Sequence, residues 1–277
     1  VIPFERRGRA MGVVMTSFSV ATVAGVPLAL FLVSHFNWHA PFVAIAIMVA
    51  LVATVASQIL PSLKGHLQTH TDGNALRVIL ANLRAVLVDP NHLRAFAMSA
   101  SMVFAGFAVI PYITLYLQNN HVMAPNEIPW LYFCGGVITL FSGRWVGGVT
   151  DRLGKRETFQ RAVLFSIIPM FAITLIEPVP LYVVLLVTSA LFFAMNARMI
   201  PGMALLTSAA NPKFRGTFMS LNGAVQSFAM GIASWVGGML LQSEPSGQVT
   251  HYWLCAVVAT CASLMAYQLA KRVSMHE

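Results

Sequence analysis

Eight apolar stretches dominate this chain, at 10–34, 41–60, 95–117, 128–149, 159–176, 180–206, 217–241 and 252–270. Each reaches the about 17–25 residues that a helix needs to cross the hydrocarbon core of a bilayer. Hydrophobic residues make up 57% of the chain and charged residues 9%, against about 45–50% and about 25% in soluble domains. A water-soluble core of 277 residues needs a charged surface that this composition does not supply. Even spacing and short connections predict an all-α integral membrane protein with eight antiparallel transmembrane helices. Pro27, Pro111, Pro169 and Pro201 lie inside runs, where membrane helices tolerate kinks. Pro41, Pro61, Pro129, Pro178, Pro180 and Pro212 mark run ends.

The basic residues orient the bundle. Of the 17 Lys and Arg residues, all but Arg144 and Arg198 fall on one side: Arg6, Arg7, Arg9, Lys64, Arg77, Arg84, Arg94, Arg152, Lys155, Arg156, Arg161, Lys213, Arg215, Lys271 and Arg272. The opposite segments, 35–40, 118–127, 177–179 and 242–251, carry none. The positive-inside rule makes the basic side cytoplasmic, so both termini are expected there, as an even number of spans requires. Trp38, Trp130, Tyr252 and Trp253 are expected at interface depth. The net charge is +8, but the basic residues sit between apolar runs, which argues against nucleic-acid binding. Cys134, Cys255 and Cys261 lie in apolar runs and read as small packing residues. There is no signal peptide, and the chain opens on Val1 without an initiator Met, a start expected inside something longer.

Residues 61–94 form the one long connection. Within it Leu76, Ile79, Leu80, Leu83 and Leu87 recur at helical spacing, with Arg77 and Arg84 on another face. This predicts an amphipathic helix at the cytoplasmic interface. A weak internal echo pairs Arg7-Gly8-x-x-Met11 before the first run with Arg215-Gly216-x-x-Met219 before the seventh.

The most distinctive stretch is Gly147-Gly148-Val149-Thr150-Asp151-Arg152-Leu153-Gly154-Lys155-Arg156. An acid and three bases in six residues place the membrane boundary near Thr150. Gly154 is free to adopt the positive φ of a sharp turn. Gly143 and Gly147 share a helix face and allow a neighbouring backbone to approach.

Two six-helix halves, a long cytoplasmic loop between them and a Gly-x-x-x-Asp-Arg-x-Gly-Lys/Arg-Arg loop resemble the major facilitator superfamily. By this resemblance the chain corresponds to helices 5–12 of a 6+6 fold and the first four helices are absent. Residues 1–60 are then the last two helices of the N-terminal half, 61–94 a cytoplasmic linker and 95–277 the C-terminal half. Ala21-Thr22-Val23-Ala24-Gly25-Val26-Pro27-Leu28 resembles the glycine–proline motif of proton-driven exporters, closest to the drug and sugar (arabinose-efflux-like) branch. Val26 separates Gly25 from Pro27, and Ala29 stands where a later glycine is common, so uptake stays open beside efflux.

The resemblance implies a secondary transporter in a bacterial inner membrane, moving a small organic solute, a sugar or a drug, by alternating access with protons as coupling ion. Its partners are the lipid bilayer and the solute, with no obligate protein partner and no cofactor. Lacking most of one half, the 277-residue chain is not expected to transport by itself, which leaves a transport-incompetent piece or membrane scaffold as the other reading. In the family the 147–156 loop, with Asp151 and Arg152, clasps neighbouring helix ends in one conformation and releases them in the other.

Arg198 lies inside a run, where a lone arginine usually faces protein or a water-filled cavity. It either faces the central path and holds a substrate acceptor or carboxylate, or snorkels to the interface or fixes a helix contact. Asn196, Tyr112 and Tyr116 are candidates for lining the path; for the tyrosines a membrane-interface role is the alternative. Arg144, seven residues before Asp151, reads as its ion-pair partner. Gly25 and Pro27 allow close approach and a kink. No Asp or Glu lies within any run, so the proton carrier is expected outside these helices. His66 and His70 are four apart without the glutamate of a metalloprotease motif. No metal-ligand spacing, nucleophile elbow or phosphate-binding loop is present, which argues against an enzyme.

Overall fold

The computed structural model describes residues 20–59, 75–120 and 122–275. Within them every one of the eight runs is at least partly helical. A π-helical turn, Ala21–Gly25, leads into α1, Val26–His35. Its cause is local: Pro27 has no N–H to return to the carbonyl four residues back, and the preceding N–H, that of Val26, reaches Ala21 O five residues back. Next come α2, Ala40–Ile59, and α3, Ala75–Val88. α4, Pro90–Phe107, starts five residues ahead of its apolar run. Asp89 caps it by accepting from Asn91 N, and Pro90 occupies the first turn, where its missing N–H costs nothing.

The third run does not continue as one helix. Pro111 breaks it into α4, a 3-10 turn at Ile110–Tyr112 and α5, Ile113–Asn119. There follow α6, Ile128–Leu153; α7, Lys155–Thr174; α8, Leu181–Ala209; and α9, Arg215–Leu240. A two-stranded hairpin, β1 Gln242–Ser243 with β2 Val249–Thr250, leads to α10, Tyr252–Arg272. Pro169 and Pro201 lie within α7 and α8 without ending them. By length and apolarity alone, α2, α4 with α5, α8 and α10 are each sufficient to cross a membrane.

The packing order is informative. α4 packs against α9 and α10, α8 packs against α6 and α7, and α7 and α10 close the bundle. The first helix of each consecutive triple is thus embedded in the other triple. Two apolar cores result. One contains Val109, Ile113, Leu131, Ile173, Leu191 and Cys255; the other contains Phe96, Met102, Phe159, Leu205, Phe218 and Ala266. Outside, α2 presents Phe42, Ile45, Ile47 and Leu51, α6 presents Phe141 and Trp145, and α9 presents Phe228 and Trp235. An exposed apolar girdle of this extent suits lipid.

The basic-side ends are tied by one short segment that the sequence reading passed over. Asn91 accepts from Ser274 N (2.7 Å) and donates to Ser274 O (2.9 Å) and Ala209 O (3.3 Å). His92, buried against Phe218, accepts from Asn211 N at 3.2 Å, which leaves Nδ1–H to face Val86 O at 3.3 Å. Two neighbouring side chains therefore hold α3, the end of α8 and the chain beyond α10.

Tyr252 corrects an expectation. It is not an interface anchor but fully buried, and its hydroxyl donates to Val109 O at 2.8 Å, beside the break in the third run. Trp38, Trp130 and Trp253 are exposed.

Candidate functional site

Arg198 sits between the two cores. Its side chain is 3% exposed, Nη1 donates to Ser263 Oγ on α10 at 3.3 Å, and Nη2 lies against Gly106 on α4. A Cβ at position 106 would stand 3.0 Å from Nη2, so the glycine makes room for the guanidinium. Among the described residues no carboxylate reaches it. On α4 the one core ends near Ala105 and the other near Val103; on α10 they end at Ala259 and Ala266. Arg198, Gly106 and Ser263 thus form a polar layer at mid-height. The arginine does not snorkel to an interface.

A second polar group lies in the seam between α4 and α9. Gln226, midway along α9, donates through Nε2 to Ser99 Oγ at 2.7 Å and approaches Met203 Sδ at 3.7 Å. Asn222, one turn earlier on the same face, is 2% exposed, and its Oδ1 has no partner. Neither residue, nor Ser99, was singled out from the sequence. The signal was available: two amides four apart inside an apolar run fall on one helix face.

Other candidates have local work. Asn196 donates from α8 to Thr139 O (3.1 Å) and Ser142 Oγ (3.0 Å) on α6. The Tyr112 hydroxyl donates to Ser234 O, and its ring fills the space left by Gly237 and Gly238. The Tyr116 hydroxyl donates to Ile176 O at 3.0 Å, and its ring lies 4.8 Å from that of Tyr252. Both phenols are engaged with backbone.

At the α6–α7 turn Gly154 has φ +89°, and α7 begins at the next residue. Lys155 Nζ donates to Ser208 Oγ at 2.7 Å and Arg156 Nη2 to Val273 O at 2.6 Å, so the turn is tied to the ends of α8 and α10. Asp151 and Arg152 are exposed and make no ion pair among the described residues. The expected Arg144–Asp151 pair is therefore absent; Arg144 is exposed beside Trp145. Gly147 and Gly148 have nothing within 4 Å of an added Cβ. Arg215 donates to Thr207 O at 3.0 Å, satisfying a carbonyl in the last turn of α8; Arg7 lies outside the described residues.

The close helix approach lies elsewhere than expected. Gly25 meets only Ala21 of its own turn, whereas a Cβ on Gly136 of α6 would stand 2.8 Å from Val23 N and 2.9 Å from Val23 Cα. Backbone meets backbone there. Gly136, Gly143 and Gly147 lie on one stripe of α6, and Val23 covers the first of them.

A family model described as Major Facilitator Superfamily matches residues 1–233. The chain belongs to the Major Facilitator Superfamily. It is 26% identical to a chloramphenicol resistance protein of Streptomyces lividans, over 96% of this chain and 66% of that protein. It is 22% identical to an uncharacterized MFS-type transporter of Bacillus subtilis, over 95% of this chain and 65% of that protein. A probable sugar efflux transporter of Pasteurella multocida is 25% identical over 50% of this chain and 32% of its own length. The chain thus spans about two thirds of the length of the first two relatives. As a member of this superfamily it is an integral membrane protein.

Proposed function

We propose that this chain supplies eight membrane helices, corresponding to helices 5–12, of a major facilitator that exports a small organic solute by alternating access in exchange for protons. The observation that carries the reading is the buried, uncompensated polar layer of Arg198 between two apolar cores, with Gln226 and Asn222 nearby. Desolvating such groups is costly in hydrocarbon and makes sense along a solute path. The names of the relatives, one for chloramphenicol resistance and one for sugar efflux, support small-molecule export. In this reading α1 and α2 belong to the N-terminal half and α3 to a linker at the cytoplasmic face of a bacterial inner membrane. Both termini are cytosolic, and the seam where α1 crosses α6 at Gly136 joins the halves. Asp151, Arg152 and the Lys155 and Arg156 ties are the contacts exchanged on closing. Asn196, Tyr112 and Tyr116 act by holding the helices that line the path.

The protonated group lies outside the runs of this chain, which hold no Asp or Glu. Uptake is the second reading, favoured by the interrupted Gly25–Pro27 motif.

The test is solute flux. The 277-residue chain by itself is expected to move nothing. Preceded by the first third of the Streptomyces lividans relative, it is expected to accumulate radiolabelled chloramphenicol or lactose in inverted vesicles when the lumen is acidified. Accumulation in right-side-out vesicles instead selects uptake. A correctly inserted chimera that moves neither probe in either orientation overturns the carrier reading.

A further inference from the structure

We infer that the groove between α6 and α8 is a lipid site, seating one acyl chain of a phospholipid from the leaflet opposite the basic ends. The inference needs only that the chain spans a membrane, and it is independent of what the protein carries.

The groove has a defined shape. Cys134 and Ile138 of α6 form one wall, Tyr182 and Leu186 of α8 the other, with Leu185 and the buried Ser189 between them. Phe193 closes the deep end, its ring 6.0 Å from that of Trp145 on α6 and 6.1 Å from that of Phe165 on α7. Tyr182 lies in the first turn of α8, and from there to Phe193 is about 16 Å of helix. One leaflet's share of a hydrocarbon core about 30 Å thick is about 15 Å. The groove holds ≈ 490 Å³, which over that length is a cross-section of about 30 Å², against about 80 Å² for a helix about 10 Å across. A single extended chain fits; a helix from a second protein does not.

Its position points to the same occupant. Ile138, Tyr182 and Leu186 are exposed, as are Phe141 and Trp145 further along the same face of α6, so the groove is continuous with the lipid-facing girdle. Helical phase puts Gly136 about 160° round α6 from both Cys134 and Ile138. The α1 crossing, where Val23 meets Gly136, therefore covers the far side of α6 and leaves the groove clear. Trp130, one turn above Cys134, and Tyr182 are exposed at the mouth. There an indole N–H and a phenol O–H sit at the depth of ester and phosphate oxygens, with apolar ring faces turned to the chain below.

The test is photo-crosslinking of the 277-residue chain in phosphatidylcholine nanodiscs doped with a phosphatidylcholine carrying a diazirine near the end of one acyl chain. Adducts are located by peptide mass spectrometry. Phe193 is expected to carry at least five times the adduct of Phe228 and Leu264, which are exposed on α9 and α10 near the middle of their helices. Ala190→Trp, which fills the groove from α8, is expected to lower the Phe193 adduct at least fivefold and leave those at Phe228 and Leu264 unchanged, which shows that the variant is still folded in the bilayer. Cys134→Trp, filling it from α6, is expected to do the same. Equal labelling of Phe193, Phe228 and Leu264 in the wild type overturns the inference, since ordinary boundary lipid labels every exposed face alike. Labelling of Phe193 that persists in both tryptophan variants overturns it too.

Discussion

Arg198→Leu is expected to make the protein more stable and inactive. The guanidinium is buried with one long hydrogen bond, to Ser263 at 3.3 Å, and no acidic partner among the described residues. Insertion scales put the cost of an arginine at the centre of a membrane helix at about 2.5–3.5 kcal/mol. Replacing buried charge by well-packed apolar groups is often neutral or stabilising by about 1–4 kcal/mol. Leucine forfeits the bond to Ser263 and leaves some space beside Gly106, so the net gain is on the order of 1–2 kcal/mol. For a chain of this size that is roughly 2–4 °C in apparent melting temperature. The decisive feature is the opposite sign of the two effects: stability rises while flux of the chimera disappears. A purely architectural arginine, fastening α4, α8 and α10, predicts that both fall together. Thermal unfolding in detergent beside the flux assay separates the two.

Gly136→Leu is expected to have the largest purely steric effect. An added Cβ meets the Val23 backbone at 2.8 and 2.9 Å, and backbone does not rotate aside as a side chain does. Overpacking of this kind costs about 1–3 kcal/mol, concentrated where α1 crosses α6. The measurement is disulfide cross-linking between cysteines placed at Val20 and Leu140, each about one turn from the contact on the same side of two antiparallel helices, in a chain whose own three cysteines are serine. Wild-type Gly136 should give efficient cross-linking and Gly136→Leu little. Gly148→Leu, on the same helix with open space around it, should leave cross-linking unchanged. Equal efficiency in all three would show that α1 does not rest on Gly136.

The same contrast shows what was legible from the sequence. Every apolar run announced its helix, because about 20 apolar residues have few other solutions in a chain this poor in charge. Gly154 marked a turn for a reason carried by the residue itself, whereas Pro111, expected only to kink its run, breaks it. The start of α4 was legible too, in the Asp89-Pro90 pair, although the apolar run alone placed it later. Close approach was not, because it belongs to two helices at once. Gly25 and Gly147 are as small as Gly136, and only the crossing distinguishes them. Tyr252 followed the habit of aromatic residues near helix ends, but the break at Pro111 placed Val109 O within reach of its hydroxyl. The Arg144–Asp151 pair was a reasonable inference from helical phase, yet both side chains remain exposed. Gln226 and Asn222 were overlooked for a different reason: amides carry no charge and do not stand out in an apolar run, although their four-residue spacing put them on one face.

Alternating access makes its own demand on position 226, and one measurement addresses it directly. Gln226→Cys, in a chimera whose other cysteines are serine, is exposed to a small membrane-impermeant methanethiosulfonate added separately to inverted and to right-side-out vesicles. The account predicts reaction from each side, slowed from both by saturating lactose, because the seam opens alternately to the two faces. A cysteine that reacts from neither side, or from one side only and without protection by solute, would contradict it.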